Sequence, residues 1–285
     1  MSSQQAKTGG RSLSKSVIVG VLLGAVFLLS VLIFKELFIV LAAIAGGAGA
    51  WELAAALRIK GWHVPRVPVT VGSVLIMPIT YYGGAQMQWL GVLAIVVALI
   101  LWRIIELLLD SRHYPGQSLR LTLRDFAASA FVVIYLPLMT SFTMLLMRRE
   151  DGPMWVLAFV VTVSMIDTMG YLIGRQFGRH KLAPGVSPKK TWEGLLASIT
   201  AGLASAILFS TLGLHLSWWL GLLFGALLLV GAVFGDLAES LIKRDLGVKD
   251  MSTVLPGHGG VMDRLDSILP TAALAYIFAS IVLPL

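Results

Sequence analysis

The sequence predicts an all-α, polytopic membrane protein of about nine transmembrane helices with a cytoplasmic N-terminus. Three observations carry this expectation. First, the chain has 285 residues, 57% of them hydrophobic and 13% charged, with a mean hydropathy of +0.87; a soluble fold of this size could not cover its surface with so few polar side chains. Second, apolar runs close to the roughly 20 residues needed to cross hydrocarbon recur along it. Third, its bases gather in alternate connections, the pattern that sets membrane orientation.

Nine apolar segments can be marked in order: 16–34, 37–57, 67–82, 89–109, 126–147, 154–173, 194–212, 218–234 and 268–285. The tail before the first, residues 1–15, resembles the basic region of a signal peptide. The run after it is long enough to span and lacks a small-residue cleavage site, so it reads as a retained helix. Placing the N-terminus inside puts 19 of the 22 bases in cytoplasmic segments and leaves Lys35, Arg148 and Arg149 outside. The chain divides into the tail (1–15), N-terminal transmembrane helices (16–150) and a C-terminal transmembrane region (151–285) that carries most of the polar motifs.

Composition also excludes several chemistries. There is no cysteine, so thiol nucleophiles, disulfides and Cys-based metal sites are absent. The net charge of +7 is better explained by orientation and anionic lipid than by nucleic acid. No internal repeat of the kind that marks many transporters is visible.

Within the first half Glu52 is the ionisable residue inside a span, where a carboxylate needs a partner. Arg58 lies about one and a half turns away, and the simplest expectation is a snorkelling, locally paired glutamate. The second half differs in kind. Asp167 falls late in the sixth segment and needs a cation, supplied by a neighbouring base or a metal. The following loop, with Lys181, Ser187, Lys189, Lys190 and Thr191, is punctuated by turns at residues 183–185 and 187–188 that fix the backbone between its bases.

The eighth segment continues into a helix in which Asp236, Glu239, Ser240 and Lys243 recur at i, i+3, i+4 and i+7 and so share one face. That helix is expected to end near Gly247. Beyond it, Pro256, Gly257, His258, Gly259 and Gly260 form a turn whose glycines free backbone amides to face an anion. Asp263, Arg264 and Asp266 then open the ninth segment. His258 has no metal-ligand spacing around it; it either donates to a phosphate or fixes the turn.

Carboxylates on separate elements with Lys and Arg beside them suit one class of chemistry. Oxygen ligands select Mg²⁺ or a similar hard ion, which completes its shell with phosphates and water. The bases then neutralise the remaining phosphate charge. Phosphoryl-type transfer needs mainly such positioning and neutralisation.

These residues resemble a known family. Ser240, Lys243, Arg244, Lys249, Asp250, the Leu255–Gly260 turn, Asp263, Arg264 and Asp266 look like the signature of the phosphatidate cytidylyltransferases, or CDP-diacylglycerol synthases. Asp167, the run Lys181 to Pro184 and the run Ser187 to Gly194 are similar to that family's upstream region. The resemblance implies the reaction CTP + phosphatidate → CDP-diacylglycerol + pyrophosphate. It also implies a cation centre of Mg²⁺, with a second cation such as K⁺, on Asp236 and Asp263, and with Asp167 and Asp266 as supporting ligands. Lys243 and Arg264 would act with the two aspartates in catalysis. Arg244, Lys249, His258, Gly259 and Gly260 would hold phosphates, and Ser187, Lys189, Lys190 and Thr191 would face CTP or phosphatidate.

A homodimer in the inner (plasma) membrane, surrounded by membrane lipids and with its site facing the cytoplasm, is the matching expectation. The sequence departs from the family pattern at Met169 and Gly170 and at Met251 to Thr253, which affects local backbone rather than the reaction. The D-x2-D-G-x2-A-R pattern of the CDP-alcohol phosphotransferases is absent. Two other classes use similar ingredients: a CTP-dependent membrane kinase for a lipid or polyprenol alcohol, and a transporter whose path is lined by Asp167 and Glu52.

Overall fold

A computed structural model describes residues 13–109, 119–183, 187–248, 250–252 and 259–283. It is built almost wholly from helices: α1 (Leu13–Leu32), α2 (Lys35–Ile59), α3 (Arg66–Leu109), α4 (Leu119–Val133), α5 (Met139–Met147), α6 (Gly152–Phe177), α7 (Trp192–Leu208), α8 (Trp218–Leu246), α9 (Met262–Leu265) and α10 (Ile268–Val282). Seven helical runs among the described residues are long and apolar enough to cross a membrane. That bears out an all-α membrane protein. One departure is a small antiparallel hairpin, β1 (Lys181–Ala183) and β2 (Ser187–Thr191), in the basic loop where turns but no strands were expected.

α3 explains much of the difference between seven runs and nine segments. Its 44 residues would stretch about 66 Å if straight, more than twice a bilayer's hydrocarbon core. The run is broken at Gly84, whose φ of 72° and ψ of −164° are non-helical and belong to conformations open mainly to glycine. The two halves fold back on each other: a Cβ built on Gly72 would lie 2.6 Å from Ile95, and one on Gly91 would lie 3.3 Å from Ile76. The third and fourth apolar segments are therefore the arms of a helical hairpin.

α4 and α5 are joined through a π-helical turn, Ile134–Leu138, that contains Pro137. A proline cannot donate to the helix ladder, and the wider turn accommodates the loss. α6 and α7 pack closely, with Gly170 and Gly194 of the two helices in backbone contact and Ser198 Oγ donating to Ile166 O at 2.7 Å. The core between α6, α8 and α10 is closed by Trp155, Phe224 and Phe278, whose ring centroids lie 5.1 to 6.2 Å apart. Large apolar side chains such as Trp89, Leu93, Leu101 and Phe234 point outward, as expected where lipid is the solvent.

Candidate active site

The α8 face that helical spacing picked out is the floor of the site. Lys243 Nζ donates to Glu239 Oε2 at 2.7 Å one turn back on α8, and to Asp263 Oδ1 of α9 at 2.9 Å. The other oxygen, Asp263 Oδ2, accepts the amides of Gly260 at 2.8 Å and Met251 at 3.0 Å. Gly259, at φ 82°, turns the chain into this arrangement. α8 itself ends at Gly247 as expected, with a left-handed cap whose N–H donates to Arg244 O.

The basic loop supplies a second wall. The hairpin pairs Lys181 with Thr191 and Ala183 with Ser187, and it carries Lys190 to an ion pair with Asp236. Thr191 is buried and caps α7, its Oγ1 accepting Gly194 N at 3.2 Å. About two turns before Lys243 on α8, Gly235 lies against the Asp266 backbone, which brings Asp236 and Asp266 together. Asp266 Oδ1 accepts Ser267 N at 2.8 Å, and Ser267 Oγ reaches towards Asp167 Oδ1 at 3.5 Å. Asp167 in turn faces Asp266 and Asp236.

Five carboxyl groups, Asp167, Asp236, Glu239, Asp263 and Asp266, thus gather around two ammonium groups, Lys190 and Lys243. Glu239 is fully buried, and its carboxyl is set against that of Asp266. An excess of carboxyl oxygens over ammonium groups fits a hard cation. Among the described residues, however, no three acids converge on one point as metal ligands do, and Asp236 and Asp263 are each paired with a lysine.

The other expected residues are placed as follows. Arg244 and Arg264 lie on exposed positions of α8 and α9. Ser187 and Lys189 are on β2, with side chains outside the described residues; Lys249 and His258 also lie outside them.

Two residues of the N-terminal half enter the site unannounced. Tyr135, in the π turn, stacks on Phe131 and holds a buried hydroxyl without a hydrogen-bond partner, facing Glu239, Asp266 and Asp236. Glu52 does not pair with Arg58, which instead donates to Val64 O. It is 4% exposed and reaches Ser252, Val261 and Met262 beside the signature turn. A charged residue in an apolar run was the available signal for Glu52. Tyr135 had none beyond the nearby proline.

The cytidylyltransferase family model matches residues 14–282. The chain belongs to the cytidylyltransferase family. Relatives from that family cover it almost completely. It is 36% identical over 278 residues to the phosphatidate cytidylyltransferase of Mycobacterium bovis, covering 96% of this chain and 90% of that one. The Mycobacterium leprae phosphatidate cytidylyltransferase is 34% identical over 280 residues, with the same coverage. The chloroplastic phosphatidate cytidylyltransferase 4 of Arabidopsis thaliana is 46% identical over 134 residues, which cover 44% of this chain and 33% of that protein. The five-carboxyl, two-lysine arrangement is thus set in a cytidylyltransferase-family chain from end to end.

Proposed function

We propose that the protein transfers a cytidylyl group from CTP to phosphatidate, giving CDP-diacylglycerol and pyrophosphate. The observation that carries this reading is the meeting of Lys190–Asp236 and Lys243–Asp263, from stretches about 50 residues apart, in a chain that matches the cytidylyltransferase family along nearly its whole length.

A phosphate oxygen of phosphatidate attacks the α-phosphorus of CTP. The new P–O bond forms as the α–β anhydride bond breaks and pyrophosphate departs with its electron pair. The lipid phosphate is largely ionised near neutral pH, its second pKa being about 6, so no side chain has to remove a proton. The protein's part is to align the two phosphates and neutralise the charge that builds on the leaving group. Lys190 and Lys243 stand at the two walls with flexible stems that can pass from carboxylate to phosphate. Arg244 and Arg264 add donors at exposed positions of α8 and α9; Lys189, Lys249 and His258 are assigned to the phosphates by the family resemblance alone.

Asp236 and Asp263, with Asp167 and Asp266 in support, are the residues that would hold Mg²⁺ and a second cation such as K⁺. A bound divalent ion there would screen the phosphates and polarise the α-phosphoryl group. The closely set Glu239 and Asp266 carboxyls and the surplus of carboxyls over ammonium groups support this assignment.

The same reading takes the chain across the inner membrane nine times, with the N-terminus and the site on the cytoplasmic side, and as a homodimer. The reversal at Gly84 supports the count by dividing α3 into two membrane-length arms. The distribution of bases supports the orientation.

Purified protein given CTP, phosphatidate and Mg²⁺ should release pyrophosphate and stop on addition of EDTA. With CTP labelled on the α-phosphate, the label should enter lipid. Label entering lipid only from the γ-phosphate would instead identify a kinase.

A further inference from the structure

A carboxylate from α2 that nothing in the reaction requires is spent on the signature turn. Glu52 Oε1 accepts Ser252 Oγ at 2.5 Å and Val261 N at 3.1 Å, and Oε2 accepts Met262 N at 2.9 Å. A buried charge of this kind is costly unless satisfied, and three donors satisfy it. All three lie about 200 residues further along the chain.

The Glu52 contacts interleave with those of Asp263. Met251 N and Gly260 N go to Asp263. Their neighbours Ser252, Val261 and Met262 go to Glu52. Two carboxylates therefore hold the same two backbone segments side by side, one from within the signature and one from the N-terminal half. Gly260 marks the fit: a Cβ there would sit 2.5 Å from Glu52 Oε2 and 3.0 Å from Ser252 Oγ. A glycine at this point of the motif is explained by the close approach of Glu52.

We infer that Glu52 is a positioning residue for the cytidylyl transfer, fixing the Gly260–Met262 backbone and through it the direction of the Asp263 carboxylate towards Lys243. The inference rests on the reaction proposed above. A displacement of about 1 Å at such a group can cost roughly a hundredfold in rate, so the contact bears on turnover as well as on stability.

The test uses the full-length protein in detergent or nanodiscs, comparing wild type with Glu52→Gln and Ser252→Ala. Glutamine keeps the shape, but in either orientation its NH₂ faces a backbone N–H that the carboxylate had accepted. The expected result for Glu52→Gln is a fall in kcat of about ten- to a hundredfold with the KM for CTP changed far less. Amide hydrogen exchange should quicken across residues 259–263 and stay unchanged in α6 and α10. Turnover within twofold of wild type, or exchange rising evenly over all helices in step with lost folded protein, overturns the inference. If Glu52→Gln yields no folded protein, Ser252→Ala decides. It removes one donor and leaves the carboxylate; unchanged exchange at 259–263 together with unchanged turnover overturns the inference, and a local rise with reduced kcat supports it. Wild type without CTP consumption would sink the proposed reaction instead, while the exchange comparison would still report on the clamp.

Discussion

Asp263 divides its two oxygens between an ammonium group and two backbone amides, so an isosteric amide cannot replace it without opposing one set of donors. Asp263→Asn should therefore lower CDP-diacylglycerol formation by at least about a hundredfold, the scale seen when one preorganised charge contact is lost. The purified protein should keep a wild-type elution profile, because the side chain is not part of the apolar core. Near-normal turnover would remove Asp263 from the site. Lys190→Met probes the other wall, and kcat/KM measured with CTP should fall about ten- to a hundredfold.

These residues were legible because their chemistry is local. Helical spacing alone aligned Asp236, Glu239 and Lys243, and the density of acids and bases flagged Asp263 and Asp266. Glu52 was misread for the opposite reason. Its partners are 200 residues away, and a sequence shows Arg58 nearby but not the turn that folds over it. Tyr135 was invisible, since a tyrosine in an apolar helix has no feature that separates a lipid-facing ring from one aimed at carboxylates.

At the level of elements, Gly84 is the joint on which the α3 hairpin turns. Its backbone lies in a region that other residues reach only with strain, and a Cβ there would also strike the Arg148 guanidinium. Gly84→Ala should cost about 1 to 3 kcal/mol, seen as a lower thermal midpoint in detergent. Apolar runs announced both arms of this hairpin and the break between them, at 83–88; what they did not show is that helix continues almost up to the bend at Gly84.

The connection between α2 and α3 is held by a polar cluster of its own. His63 N donates to Asp125 Oδ1 at 3.0 Å, and its Nε2 lies 2.7 Å from Glu106 Oε2. Arg103 bridges Glu106 and Asp125. Burial pushes the His63 imidazole below its ordinary value; Glu106 draws it back up, and Arg103 and Arg58 push it down again. A histidine whose pKa is lower folded than unfolded stabilises the fold above the unfolded value, near 6.5. That contribution is lost as the pH falls through the folded value. The thermal midpoint should thus decline on acidification below about pH 6.5, and His63→Gln should flatten the decline.

For the molecule as a whole, orientation is directly testable because the chain has no cysteine. A single cysteine at Arg148 should react with a membrane-impermeant maleimide added outside intact cells. One at Lys60 should react only after permeabilisation. Reversed labelling would invert the proposed topology. Polytopic character was plain from composition, since hydropathy sums over the whole chain. The way α2, the π turn and α9 meet was not, because helix-to-helix contacts in an apolar environment are chosen by shape, which hydropathy does not record.

The two walls of the site differ in how wet they are. Lys190 and Asp236 keep 26% and 32% of their side-chain surface accessible, whereas Lys243 and Asp263 keep 19% and 6%. Mobile ions screen accessible charges far more than buried ones. Rising ionic strength should loosen the hairpin from α8 while the Lys243 contact stays closed, so the KM for nucleotide responds to salt at concentrations that leave kcat untouched.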